Sequence, residues 1–274
     1  MSFSLELPPT FAQRLADADR GLAGMWLCSG STVNAEIAAG SGLDWILIDG
    51  EHAPLSLESI QTQLQILAAY PATPVVRVPV NNEVIIKQYL DLGAQNLLVP
   101  MVNSGEDAAA AVRAVRYPPA GVRGVGAALS RGGRWNRVDG YLKRANDELV
   151  SLFVQIESAD AVENVEAIVN TDGVDGIFIG PSDLAASMGF IGQQTHPDVV
   201  AGVRSAIAAA RAAGKPVGIN AFDQQVALGY LDDGMDFILV AADVSLLARA
   251  SEQLADTFIH ARAGATSQGE RASY

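Results

Sequence analysis

Four short segments of this chain carry residues that can move protons or hold a cation: Asp49-Gly50-Glu51-His52, Arg77, Gln155-Ile156-Glu157 and Pro181-Ser182-Asp183. Each stands where an apolar run gives way to polar sequence. Carboxylates, an amide, one arginine and one histidine pooled at such exits suit an oxygen-ligated metal and an oxo-acid substrate. They do not suit a Schiff base, because the lysines are Lys87, Lys143 and Lys215 and none falls at an exit.

The elements that must position these residues are short β-rich apolar runs alternating with longer helical patterns. The runs are 23–28, 44–48, 74–78, 96–100, 152–156, 176–179, 216–219 and 237–240. Eight such strands, continuously apolar because helices cover them outside, predict a closed parallel (β/α)8 barrel. Several strands are introduced by the same device, a glycine, one residue, then Asp or Gln, as in SGLDWILID and LGAQNLLVP. Gly42, Gly93, Gly173 and Gly234 therefore read as left-handed ends of the preceding helices. Between the runs, SLESIQTQLQILAAY, GEDAAAAVRAVRYP and DVVAGVRSAIAAARAAG hold apolar residues at helical spacing. The segment 117–140 breaks the pattern with many Gly, Pro and Arg. It reads as a loop over the active face in preference to a solvated connection, since long loops in compact domains usually carry function.

Composition narrows the function classes. At 274 residues and 49% hydrophobic, the chain can close one barrel domain over residues 1–262, with 263–274 expected as a disordered polar tail. A formal net charge of -13 excludes broad contact with nucleic acid or anionic lipid. Cys28 is the only cysteine and lies in an apolar strand, where a structural thiol is expected. No signal-like segment and no span-length apolar run is present, which points to a soluble, cytoplasmic protein with no membrane partner.

In a parallel barrel the exits of the strands form the active face. Glu157 and Asp183 end the fifth and sixth strands and so stand side by side, an arrangement suited to Mg²⁺ or Mn²⁺ with positions left for water and substrate. The plain alternative for each is a helix cap, Asp183 before LAASM above all. His52 follows a buried strand in DGEHAP and can move protons near neutral pH. His196 and His260 lie elsewhere, so no histidine zinc cluster is available. Arg77 closes VVRVP; its guanidinium fork matches an oxo acid or its enolate, and the plain alternative is an ion pair with Glu51. Spacing alone pairs His52 with Asp49.

The segments GLDWILIDGEHAP, PVVRVP, QYLDLGAQNLLVPMV, RYPPAGVRGVG, RWNR, VQIES and DGIFIGPSDLAASMG closely resemble the metal-dependent (class II) pyruvate aldolases of the HpcH/HpaI family. The resemblance covers almost the whole chain. It implies a barrel of the phosphoenolpyruvate/pyruvate type, commonly a homohexamer whose subunits exchange the last helix. By it, Glu157 and Asp183 ligate Mg²⁺, Mn²⁺ or Co²⁺; Gln155 contacts the oxo acid, and the backbone amides of Ser182 and Asp183 its carboxylate. His52 is the base, Arg77 stabilises the enolate oxygen, and Asp91 raises the basicity of His52. Small-molecule oxo acids and aldehydes are the implied partners, pyruvate or hydroxypyruvate as donor, and no nucleotide cofactor is called for. Asp91 ends the helical pattern NEVIIKQYLDLG and reaches the site only through a detail of fold or assembly. Gly218-Ile219-Asn220-Ala221-Phe222 looks shorter and more polar than is usual in these aldolases, which leaves the preferred aldehyde open.

Two other classes stay in view. An acyl-CoA lyase or mutase of the same superfamily would need basic groups for a nucleotide or phosphate, for which Arg123, Arg131, Arg134 and Arg137 are the candidates. A non-catalytic barrel would bind the oxo acid and metal without proton exchange. The last helical pattern, 244–260, puts Leu246, Leu247, Leu254, Phe258 and Ile259 on one face that something must cover.

Overall fold

In the computed structural model, which describes residues 4–260, eight strands pair in sequence order and close into a parallel barrel. They are β1 (Leu22–Leu27), β2 (Trp45–Asp49), β3 (Thr73–Arg77), β4 (Asn96–Val99), β5 (Ser151–Ile156), β6 (Gly176–Ile179), β7 (Val217–Asn220) and β8 (Phe237–Ala242). Each lies within two residues of its sequence expectation. The tail expected at 263–274 lies outside the described residues. Gly42, Gly93, Gly173 and Gly234 have φ of 89°, 96°, 94° and 82°, the left-handed helix ends that their spacing predicts. Among the described residues no helix is long and apolar enough to cross a membrane.

Strand alternation splits the core in two. Outward residues such as Ile46, Ile48, Val76, Ile177 and Ile219 pack under the helices, and inward residues such as Trp45, Leu47, Val75, Phe153, Phe178 and Phe237 fill the barrel. The interior is packed by setting large beside small. A Cβ on Gly24 would lie 2.6 Å from the Trp45 ring, on Gly176 2.6 Å from Phe153, and on Gly218 2.3 Å from Phe237. Phe11, on the helix Phe11–Ala16, plugs the N-terminal end with ring centroids 5.0 Å from Trp45 and 5.3 Å from both Phe153 and Phe237. Its N–H donates to Asn96 Oδ1 at 2.7 Å, so the plug is hydrogen-bonded to β4 as well as packed.

The segment 117–140 is not over the C-terminal mouth of its own barrel. It follows the helix Gly105–Val115, which returns from the mouth, and precedes β5, so it lies at the N-terminal end. There Arg131 donates to the carbonyls of Leu64 and Leu92 at 3.2 and 3.3 Å, and Leu5 bridges to Val138. The Gly, Pro and Arg content marked a long connection, and chain direction put it on the far face.

The last helix, Asp243–Ala255, buries only Asp243. Leu246, Leu247 and Leu254, with Phe258 and Ile259 beyond it, are 53–65% exposed, so the apolar face expected from the sequence is not laid on its own barrel. Because Phe11 is 1% exposed and fills the end of the barrel, Phe11→Ala is expected to destabilise the protein by about 3–5 kcal/mol. Urea unfolding of the two proteins checks this.

Candidate active site

The C-terminal ends of the strands converge on a polar mouth above this apolar interior. Asp49 and Arg77 are register partners on β2 and β3 and both point inward. Arg77 is 5% exposed, and its Nε and Nη2 each donate to Asp49, to Oδ1 and Oδ2, at 2.9 Å. Its Nη1 lies 2.9 Å from Glu51 Oε2. The expected alternative, an ion pair to Glu51, is therefore present, and Asp49 makes a second, two-pronged one. A guanidinium has five N–H donors, so two remain for a substrate oxygen. Its plane also lies over the Trp26 ring, 4.4 Å from the centroid.

Asp49 does a second task. Its Oδ1 accepts from the backbone N–H groups of Glu51 at 3.0 Å and His52 at 3.3 Å, which fixes the loop carrying His52. The carboxylate does not reach the imidazole. His52 is 67% exposed in its side chain, with Glu51 Oε2 at 3.9 Å from Nε2. Asp91 does not reach it within the chain either. It ends the helix Glu83–Asp91 at the opposite end of the barrel, where its carbonyl accepts from Gly132 and its Oδ1 lies 3.7 Å from Arg123 Nη2.

Glu157 is 3% exposed. Its Oε1 accepts from the Met101 N–H at 2.7 Å, and its Oε2 accepts from the Gln155 amide. Met101 presents that N–H from a left-handed backbone, φ 53°, which sequence reading did not single out. Burial pushes the Glu157 carboxyl up to about 7, and repulsion from Glu51 and Asp183 adds to the shift against the Met101 hydrogen bond and Arg77. Burial likewise raises Glu51, with Arg77 opposing. Asp183 is not a cap: Gly180 caps the helix Pro181–Ser187, and among the described residues the Asp183 carboxylate has no hydrogen-bond or ion-pair partner. A Cβ on Gly180 would sit 2.9 Å from Gln155 Nε2 and 3.0 Å from Glu157 Oε2, so the space beside Glu157 exists because residue 180 has no side chain. Gln155 Oε1 is buried without a partner.

These features fit a divalent cation. A buried carboxylate, a free one at the next strand exit, mutual repulsion among three acidic groups and an all-oxygen donor set match Mg²⁺ or Mn²⁺. Among the described residues no group of three or more His, Cys, Asp or Glu could by itself hold a metal ion, so the protein supplies two carboxylates at most. Ser182 Oγ accepts from Gln194 at 2.7 Å, which ties a following loop to the rim. Cys28 is partly buried, and its thiol is pushed up to about 12 by burial and by Asp49 and Asp243, so it stays protonated and structural. Lys215 donates to the Val174 carbonyl at 2.7 Å, and Lys87 and Lys143 lie on the helices Glu83–Asp91 and Tyr141–Arg144.

A closed parallel barrel with an exposed imidazole, a buried guanidinium and neighbouring carboxylates at its C-terminal mouth has the layout of a barrel enzyme. The chain belongs to the HpcH/HpaI aldolase/citrate lyase family, whose model matches residues 22–250. It is 52% identical over 241 residues to the 4-hydroxy-2-oxo-heptane-1,7-dioate aldolase of Shigella flexneri, covering 88% of this chain and 90% of that one. The enzyme of the same name from Klebsiella pneumoniae is 53% identical over 243 residues, 89% and 91% of the two chains. A crystal structure of a HpcH/HpaI aldolase/citrate lyase family protein from Burkholderia cenocepacia superposes with a TM-score of 0.86 at 43% identity, covering 90% of this chain and 97% of that one.

With burial pushing the Glu157 carboxyl up to about 7, a cation bound there would displace a proton below neutrality. Affinity for Mn²⁺ is expected to rise about tenfold per pH unit up to pH ~7 and then level off. The same raised value means that Glu157 favours the fold below its unfolded range and loses that contribution as pH rises through 7. Thermal unfolding of metal-free protein should therefore drop between about pH 5 and pH 8, and saturating Mg²⁺ should restore it.

Proposed function

We propose that the protein is a divalent-metal-dependent (class II) aldolase that cleaves 4-hydroxy-2-oxo acids to pyruvate and an aldehyde, and joins them in reverse. The observation that carries this reading is one mouth holding an exposed imidazole, a buried guanidinium with donors to spare and two carboxylates short of a cation. The aldolase names borne by relatives at 52% identity support it.

Cleavage breaks the bond between C3 and C4 of the substrate. The C4 hydroxyl proton must leave as the carbonyl of the aldehyde forms, and the bonding electrons move into the ketone of the departing oxo acid. A divalent cation, Mg²⁺, Mn²⁺ or Co²⁺, held by Glu157 and Asp183 would supply Lewis acidity to the ketone and carboxylate oxygens. Arg77, pinned by Asp49 and Glu51, donates to the oxygen on which charge grows. His52, free of protein hydrogen bonds at its ring, takes the hydroxyl proton. Gln155 meets the oxo acid, and the backbone N–H groups of Ser182 and Asp183, in the first turn of the helix Pro181–Ser187, meet its carboxylate. In reverse, the same groups draw a proton from C3 of pyruvate or hydroxypyruvate.

The acyl-CoA lyase or mutase reading finds its phosphate-binding candidates engaged within the chain. Arg123 is fully buried and stacked 4.5 Å from the Tyr117 ring, Arg131 binds carbonyls, Arg134 binds the Arg131 carbonyl, and Arg137 lies over the Trp135 ring. Exchange of pyruvate C3 protons in D₂O, followed by NMR, tests donor, metal and base together. Exchange is expected with metal, lost in EDTA and regained on adding Mg²⁺, Mn²⁺ or Co²⁺, while borohydride with pyruvate leaves no adduct. His52→Ala should slow it by about two to four orders of magnitude without unfolding an exposed position. Full activity in verified metal-free protein, or a reduced lysine adduct, overturns the reading. Binding without exchange would make this a binding barrel.

The assembly reading is a homohexamer that exchanges the last helix. The unpaired apolar face of that helix supports it, since 53–65% exposure of five large residues favours a neighbouring copy as cover. The same arrangement gives Asp91 its role: sited at the far end of its own barrel, it would orient His52 of a second copy. Light scattering is expected to give an oligomer of the 28.7 kDa chain. His52→Ala and Asp91→Ala protomers, each inactive alone, should recover part of the activity when mixed. A monomer at micromolar concentration, or no recovery, rules out a shared site.

A further inference from the structure

The β7 side of the mouth holds a polar group that the charge network does not use. Trp26, inward at the end of β1, lies across the barrel as the floor of the site. Arg77 stands over its ring at 4.4 Å, Phe178 meets it edge-on at 6.3 Å, and its Nε1–H donates to Asn220 Oδ1 at 2.8 Å. An indole N–H can only donate, so the Asn220 amide is fixed with its oxygen toward Trp26. Its Nδ2, with two protons, is turned away. No protein atom among the described residues accepts from it, and it is not enclosed. Asn220 ends β7, beside the strand whose exit carries Asp183. Phe222 and Cys28, partly buried, pack on the same inner cluster, and the Asp243 carboxylate that follows β8 accepts from the N–H groups of Cys28 and Ser29.

We propose that Asn220 is a specificity-determining residue: its Nδ2 donates to an oxygen on the carbon next to the aldehyde carbonyl, so that 2-hydroxyaldehydes are preferred over unsubstituted ones. The proposal rests on the aldolase reading. It commits to the aldehyde because the oxygens of the oxo-acid donor are matched by β3, β5 and β6, whereas β7 offers one neutral donor beside Phe222. A site that has directed a donor at a hydroxyl rejects the analogue that lacks it, since the amide is then left unpaired.

The test compares kcat/KM for glycolaldehyde and acetaldehyde, with pyruvate and Mn²⁺, in the wild-type protein, Asn220→Leu and Asn220→Asp. Asn220→Asp keeps an acceptor for Trp26 and removes the donor, while Asn220→Leu removes both without adding charge. The wild-type ratio is expected to favour glycolaldehyde by roughly tenfold and to fall toward one in both variants. No wild-type preference, or an equal loss for both aldehydes in the variants, overturns the proposal; equal loss would mean that the amide acts through Trp26 and Arg77. A change confined to hydroxypyruvate against pyruvate overturns it too, by moving the contact to the donor. A wild-type protein that exchanges pyruvate protons but shows none of these preferences spares the aldolase reading, and one that neither exchanges nor adds overturns both.

Discussion

The two-pronged pair between Arg77 and Asp49 is the constraint on which the mouth depends. Both side chains project into the barrel at matched register, where a guanidinium cannot be left without an anion. Asp49 meets that need with both oxygens and spends remaining lone pairs on the N–H groups that start the His52 loop. One carboxylate thus aims the Arg77 guanidinium and sets the path of the loop that carries His52. Removing either partner of so buried a pair would strand the other, a change that costs about 3–5 kcal/mol in comparable cases.

The rest of the mouth is an acidic surplus around this pair. Glu51 shares Arg77, whereas among the described residues no cation pairs with Glu157 or Asp183. Local structure keeps Glu157 in place in spite of its burial: a left-handed Met101 turns an N–H onto it, Gln155 donates to it, and Gly180 gives it room. A bound divalent cation would relieve the repulsion, so the same carboxylates that weaken the metal-free fold define the site.

Stability and chemistry occupy opposite ends of the barrel. The N-terminal end is shut by Phe11 among aromatic rings and by arginines that bind carbonyls and stack on Tyr117. This closed end holds the strands in register, and the loops at the other end are free to carry functional groups. The last helix departs from the division, since it offers an apolar face that its own barrel does not cover.

The sequence by itself determined the barrel, because its signals are local: continuous apolar runs, helical periodicity and glycines that end helices at fixed spacing. It also marked His52, Arg77, Gln155, Glu157 and Asp183, since a residue at the end of a parallel strand must face the mouth. Only the tertiary structure decided who pairs with whom. Asp49 is near His52 in sequence yet binds Arg77, because residues at matched register on neighbouring parallel strands point the same way and meet inside the barrel. Trp26 and Asn220, 194 positions apart, became a pair only on closure of the barrel. The segment 117–140 announced its length and charge but not its face, because which end of a barrel a loop occupies follows from chain direction and not from composition.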